Sequence, residues 1–122
     1  MQNSMPLILI KTSASEISSV ISKETLEQAE NALSVILKKS RDYVMSILEY
    51  DHRISFAGDS TAPSAYIEVK NVGVLLPEIT ESLSRELTAI VTTKLDIKQE
   101  RVYVEFQQSE RHLWAWNGRT FA

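Results

Sequence analysis

The chain has 122 residues, a formal net charge of -3 and no cysteine. That length fits one domain with an apolar core of its own. The absence of cysteine excludes a disulfide scaffold, a thiolate nucleophile and Cys-ligated zinc. No block of like charge runs along the chain, which argues against a nucleic-acid binder with its basic stripe. His52 and His112 stand apart and form no ligand cluster, so no metal and no cofactor are expected. No apolar run is long enough to span a bilayer. Gln2-Asn3-Ser4 ahead of a short apolar run is not a secretory signal, and a cytoplasmic location is the expectation.

In chain order, Leu7 to Thr12 reads as a buried strand headed by Pro6, where the missing N–H costs the sheet nothing. Residues 13–16 read as loop. A helix follows, with Leu26, Ala29, Leu33, Ile36 and Leu37 on one face, Ser19 or Ser22 as cap, and Lys38-Lys39 in its last turn. Tyr43 to Tyr50 is a second strand. Asp51 to Pro63 is a turn-rich connection. Ala65 to Asn71 is a third strand, with Tyr66, Glu68 and Lys70 alternating against Ala65, Ile67 and Val69. Pro77 and Glu78 open a second helix with the stripe Ile79, Leu83, Leu87, Ile90, Val91 and Leu95. Arg101 to Gln107 is a fourth strand. Trp114 and Trp116, two apart, share one side if the tail is extended, and Gly118 marks a turn before Thr120.

Strand–helix–strand therefore occurs twice, at an offset of roughly 56–59 residues, which points to an internal duplication. The predicted class is α+β in two layers: two β-α-β units and one four-stranded mixed sheet with both helices on one face. Ile8 and Ile10 point one way, Leu7 and Leu9 the other, so the uncovered face carries surplus apolar surface and predicts oligomerisation through the sheets.

Pro6 admits two readings. It shapes a strand edge or, if translation begins at Met5 and the methionine is trimmed, it carries a free secondary amine. That amine is the only proline atom able to act as a base, and an apolar surround lowers its pKa toward neutrality. Lys39 by itself reads as a helix C-terminal cation, Val72 as core, and Tyr103 as a packing or interface ring. Trp114 and Trp116 line either a pocket mouth or a subunit seam. Asp59-Ser60 beside a histidine is turn chemistry and not a triad.

From Met5 to Ala122 the chain resembles the macrophage migration inhibitory factor family of the tautomerase superfamily. The landmarks are Met5-Pro6, Tyr43-Val44, Phe56-Ala57-Gly58, Ala62-Pro63, Ala65-Tyr66, Val72-Gly73, Arg101-Val102-Tyr103 and the ending Trp116-Asn117-Gly118-Arg119-Thr120-Phe121. The strand Ala65-Tyr66-Ile67-Glu68-Val69-Lys70 resembles bacterial and plant members more than animal ones. The resemblance implies a homotrimer whose three sheets form an inner barrel, with active sites between subunits. It implies a keto–enol tautomerase of phenylpyruvate-like or dopachrome-like acids, with Pro6 as the catalytic base. By the same resemblance Lys39 binds a substrate carboxylate or carbonyl, the Val72 backbone N–H lies at the site, and Tyr103 comes from the neighbouring subunit. Glu105, Trp114 and Phe121 are further pocket candidates. The alternative is a non-catalytic trimeric binding or cytokine-like protein with a blocked or vestigial pocket. Family analogy also allows non-classical secretion.

The chain departs from the family pattern in four places. Residues 1–4 precede the family start, and while they stay attached Pro6 nitrogen is an amide that accepts no proton. Glu105 stands where animal members have asparagine, and a carboxylate there repels an anionic substrate. The family's Cys-x-x-Cys reads Ser64-Ala65-Tyr66-Ile67, which excludes thiol oxidoreductase chemistry. Lys38-Lys39-Ser40-Arg41 lacks the glycine and proline usual in that segment, which leaves the register of Lys39 open by about one residue.

Overall fold

Strict alternation of buried and half-buried residues along Leu7–Thr12 makes this segment the centre of the sheet. The computed structural model describes residues 5–122, so the extension Met1–Ser4 lies outside the described residues. The elements run β1 (Leu7–Thr12), α1 (Ser19–Leu37), β2 (Met45–Glu49), β3 (Ala65–Val72), α2 (Pro77–Leu95) and β4 (Val102–Ser109). A small hairpin, β5 (Ala115–Trp116) and β6 (Arg119–Thr120), closes the chain. The sheet order is β2-β1-β3-β4. β1 pairs in parallel with β2, β3 in parallel with β4, and β1 antiparallel with β3. This is the two-unit, two-layer architecture expected from the sequence.

Several boundaries move for local reasons. Ser18, not Ser19 or Ser22, caps α1, its side chain accepting from the Ile21 N–H at 3.1 Å. The second strand starts at Met45 because Arg41–Tyr43 forms a 3-10 turn, opened by Ser40 Oγ accepting from the Asp42 N–H. Arg101 likewise ends a 3-10 turn, Gln99–Arg101, so β4 begins at Val102 and runs on to Ser109. Lys38 and Lys39 are not in the last helical turn. The helix stops at Leu37, and Lys38 adopts the left-handed conformation beyond it.

The core lies between the sheet and the two helices. Ile8, Ile10, Ile67 and Val69 meet Ala29 and Leu33 of α1 and Leu83 and Leu87 of α2, all essentially fully buried. The opposite face of the sheet has no helix and is split into two halves. On β1 and β2 it carries Leu7, Leu9, Met45 and Ile47. On β3 and β4 it carries Tyr66, Glu68 and Lys70 beside Tyr103, Glu105 and Gln107. The expectation of strands apolar on both sides therefore holds for the first half alone.

One side chain fixes the connection between β2 and β3. Arg101 is 8% exposed and donates to the carbonyls of Pro63, Ala62, Asp59 and Phe56 at 2.8–3.3 Å. Its guanidinium also lies over the Phe56 ring at 5.6 Å and 3.7 Å from Asp59 Oδ2. The Asp59 carboxyl is held below its usual value chiefly by hydrogen bonds from Thr61. Substituting Arg101→Met leaves several carbonyls without donors, and a loss of about 3 kcal/mol is expected from urea unfolding. A change below the error of that measurement contradicts the stapling role.

Candidate active site

The antiparallel crossing of β1 and β3 decides which residues can meet. It places the start of β1 beside the end of β3, since Leu7 pairs with Lys70. The parallel pairing of β1 and β2 brings Met45 to the same edge, since Leu7 also pairs with Met45. The Pro6 carbonyl accepts from the Met45 N–H at 3.2 Å, which locks the head of β1 against β2. The C-terminal turn of α1 ends at this edge as well.

Pro6 is buried and lines a cavity of about 220 Å³ with Asp42, Tyr43, Val44, Trp114 and Trp116 among its walls. Tyr43 and Trp116 meet edge to face, with centroids 5.7 Å apart and planes at 87°. The tryptophans reach Pro6 because Asn117 and Gly118, both with positive φ, make the tight turn that folds β5 onto β6. Phe121 is not in the cavity wall. Its N–H donates to the carbonyls of Trp114 and Arg111, so it holds the hairpin shut behind Trp114.

Lys39 and Val72 come together in a second cavity at the same edge of the sheet, about 460 Å³, which Asn71, Val74 and Ile79 also line. Lys39 is half-buried, and Ser34 fixes its backbone twice. The Lys39 N–H donates to the Ser34 carbonyl at 2.9 Å, and Ser34 Oγ donates to the Lys39 carbonyl. Lys38 takes the left-handed position, φ 57°, that a glycine adopts freely. The Lys39 backbone is thus held at the helix end without the glycine, at the cost of strain in Lys38. Gly73 N–H donates to the Ser109 carbonyl at 3.2 Å, so alternation turns the Val72 N–H away from β4 and toward the start of β1.

Tyr103 and Glu105 lie elsewhere in the chain. Tyr103 pairs with Tyr66, which pairs with Lys11, so it sits roughly 17 Å along the strand direction from Pro6. Tyr103 is 66% exposed on an edge strand and packs edge-on against Phe56 at 5.2 Å. The Tyr66 hydroxyl donates to the Glu105 carboxylate. That bond, with burial and the nearby charges of Glu68 and Glu105, pushes the Tyr66 phenol up to about 12. Two other hollows, of about 600 and 680 Å³, contain none of the site residues predicted from the sequence.

Tyr43 and Asn71 join the site without having been assigned to it from the sequence, and Trp116, read there as pocket mouth or subunit seam, lines the Pro6 cavity. Tyr43 was legible in principle: parallel pairing of β1 and β2 puts the residue just before β2 at the level of Pro6.

Substituting Lys38→Gly removes the left-handed strain and is expected to stabilise the fold by about 0.5–1 kcal/mol. Ser34→Ala leaves the Lys39 carbonyl without its hydroxyl donor and is expected to destabilise by about 1 kcal/mol. Denaturant midpoints moving in the same direction for both variants would contradict this account of the helix end.

A sequence profile described as Macrophage migration inhibitory factor (MIF) matches residues 5–122. A macrophage migration inhibitory factor homolog of Brugia malayi is 31% identical over 117 residues, covering 96% of this chain and 99% of that protein. The crystal structure of a homologue from Prochlorococcus marinus is 30% identical with a TM-score of 0.88, covering 95% of this chain and 99% of that one. The structure of the factor from Toxoplasma gondii is 25% identical with a TM-score of 0.89, covering 94% and 99%.

Proposed function

The chain belongs to the macrophage migration inhibitory factor family, and on that footing we propose that it is a keto–enol tautomerase of phenylpyruvate-like or dopachrome-like acids that uses Pro6 as its base. The observation that carries the reading is the position of Pro6, buried at the head of β1 in a cavity walled by Tyr43, Trp114 and Trp116, at the sheet edge that also holds Lys39 and Val72.

Once Pro6 is the first residue, its neutral amine takes a proton from the carbon next to the substrate carbonyl. The C–H electron pair forms the carbon–carbon double bond, and the carbonyl π pair moves to oxygen. The enolate is held by the Lys39 ammonium and the Val72 N–H, and its oxygen then takes the proton from Pro6 to give the enol and the neutral amine. The aromatic walls exclude water, and both burial and Lys39 hold the Pro6 amine toward neutral pKa.

The same reading assembles the chain as a trimer. The apolar half of the open face and the exposed ring of Tyr103 on edge strand β4 support it, because Tyr103 does not reach the Pro6 of its own chain. In the trimer Tyr103 enters the cavity of a neighbour. Sedimentation is expected to give a trimer at micromolar concentration, and a stable monomer overturns that assembly.

A second reading has one observation in its favour: in the 122-residue chain Met5 acylates Pro6, and a planar amide has no lone pair to offer. That form is a pocketed trimer without a base, suited to binding and signalling and not to turnover.

The two readings separate on one comparison. The form beginning at Pro6 is expected to turn over phenylpyruvate, and the full 122-residue form to be slower by roughly 100-fold or more. Mass spectrometry establishes that the extension is still present. In the shorter form, Pro6→Gly keeps a terminal amine but loses the ring, and a sharp fall in kcat is expected. Equal rates for both lengths would show that the chemistry does not use Pro6, with Glu105 then the first alternative base.

A further inference from the structure

Asn71 is 3% exposed, and its Oδ1 has no hydrogen-bond partner among the described residues. A buried amide oxygen without a donor is unfavourable, and native folds rarely keep one without reason. Asn71 shares the helix-facing side of β3 with Ile67 and Val69, and it lines the cavity that holds Lys39.

The strand pairing places Asn71 opposite Pro6. Leu7 pairs with Lys70 across the antiparallel ladder, so the next pair outward is Pro6 and Asn71. The Pro6 carbonyl is turned toward β2, where it accepts from Met45. Pro6 and Asn71 therefore face each other as a pair without mutual backbone hydrogen bonds. In such a pair the Cα atoms lie about 4.5 Å apart and side chains come closest. While Met5 is attached, the nitrogen of Pro6 carries no hydrogen. Asn71 thus lacks the one donor that its strand neighbour acquires on becoming the chain terminus.

Building on the reading of Pro6 as the terminal base, we infer that Asn71 is its positioning residue, with Oδ1 accepting an N–H of the Pro6 amine. The neutral secondary amine has one hydrogen and one lone pair. With the hydrogen committed to Asn71, inversion at nitrogen is blocked and the lone pair points away from β3. After proton transfer the ammonium keeps the same bond in its stronger, charge-assisted form. Asn71 therefore favours the protonated amine, against burial and the charge of Lys39. Around Pro6 the other titratable groups are Asp42 and Tyr43 in its own cavity and Lys38 and Lys39 in the second one. Lys70, opposite Leu7, lies on the other face of the sheet.

The test uses the form beginning at Pro6, which retains every strand and helix of the described residues, with proline labelled with nitrogen-15. The Pro6 amine is titrated by NMR, and the acid limb of kcat/KM is measured in parallel. Asn71→Leu is expected to lower both midpoints by about half to one pH unit, and Asn71→Asp to raise them. A merely structural role does not move the two variants in opposite directions. If Asn71→Leu does not fold, Asn71→Ala removes the same acceptor with less bulk. Midpoints indifferent to residue 71 overturn the inference and leave the base reading standing. A Pro6 amine that titrates only in the range of an ordinary exposed amine, without turnover, overturns the base reading and this inference with it.

Discussion

The antiparallel pairing of β1 with β3 is the constraint on which the site depends. Each β-α-β unit alone gathers the starts of its two strands at one edge. Joined head to tail through β1 and β3, the units place the starts of one pair beside the ends of the other. Pro6, the turn before β2, the end of β3 and the tail hairpin then share an edge. Because Ile8 and Ile10 on β1 are fully buried against both helices, a one-residue slip of β1 would turn them out to the open face and bring Leu7 and Leu9 in. The position of Pro6 is therefore held by the same burial that holds the fold together.

The edge is asymmetric. Pro6 faces aromatic walls, and Lys39 sits in a second hollow that Asn71 of β3 also lines. Helix α1 has no glycine beyond its end, yet Ser34 holds the Lys39 backbone from both sides of its peptide unit. On the far side of the sheet, Tyr66 engages Glu105. The carboxylate that stood out in the sequence as a possible repellent for an anionic substrate is thus already hydrogen-bonded within its own chain.

Most of the frame was legible in the sequence because each element carries its own signal. Period-two burial on β1 and β3, the Pro77-Glu78 start of α2 and the Asn117-Gly118 turn each depend on a few neighbouring residues. The boundaries that shifted depend on contacts far along the chain. Arg101 reads as the first residue of a strand until its bonds to residues 56–63 are seen. Ser18 and Lys38 compete with equally plausible neighbours, and tertiary packing chooses between them. Within the site, Pro6 and Trp114 were identifiable by residue type. Asn71 was not, since a polar residue at a strand end reads as solvated, and only the pairing partner reveals what it faces. Tyr103 could not be placed at Pro6 from one chain, because the register puts it at the other end of β1.

The matched halves have one more consequence. Helices α1 and α2 are each 19 residues long, each is followed by a left-handed residue, Lys38 or Asp96, and each leads through a 3-10 turn into a parallel strand. Superposing the halves in step sets Pro6 on Ser64 and Tyr43 on Arg101. The repeat thus offers two equivalent clefts, one per half. In the second, the residue in step with Tyr43 is the guanidinium that binds the Pro63 carbonyl, and Ser64 is buried in mid-chain. The place in step with Tyr43 is thus filled by a side chain that ties down the connection, while its twin borders the cavity around Pro6. A pseudo-twofold frame has in this way become polar, with Arg101 tying down the connection in one half and the Pro6 cavity lying in the other.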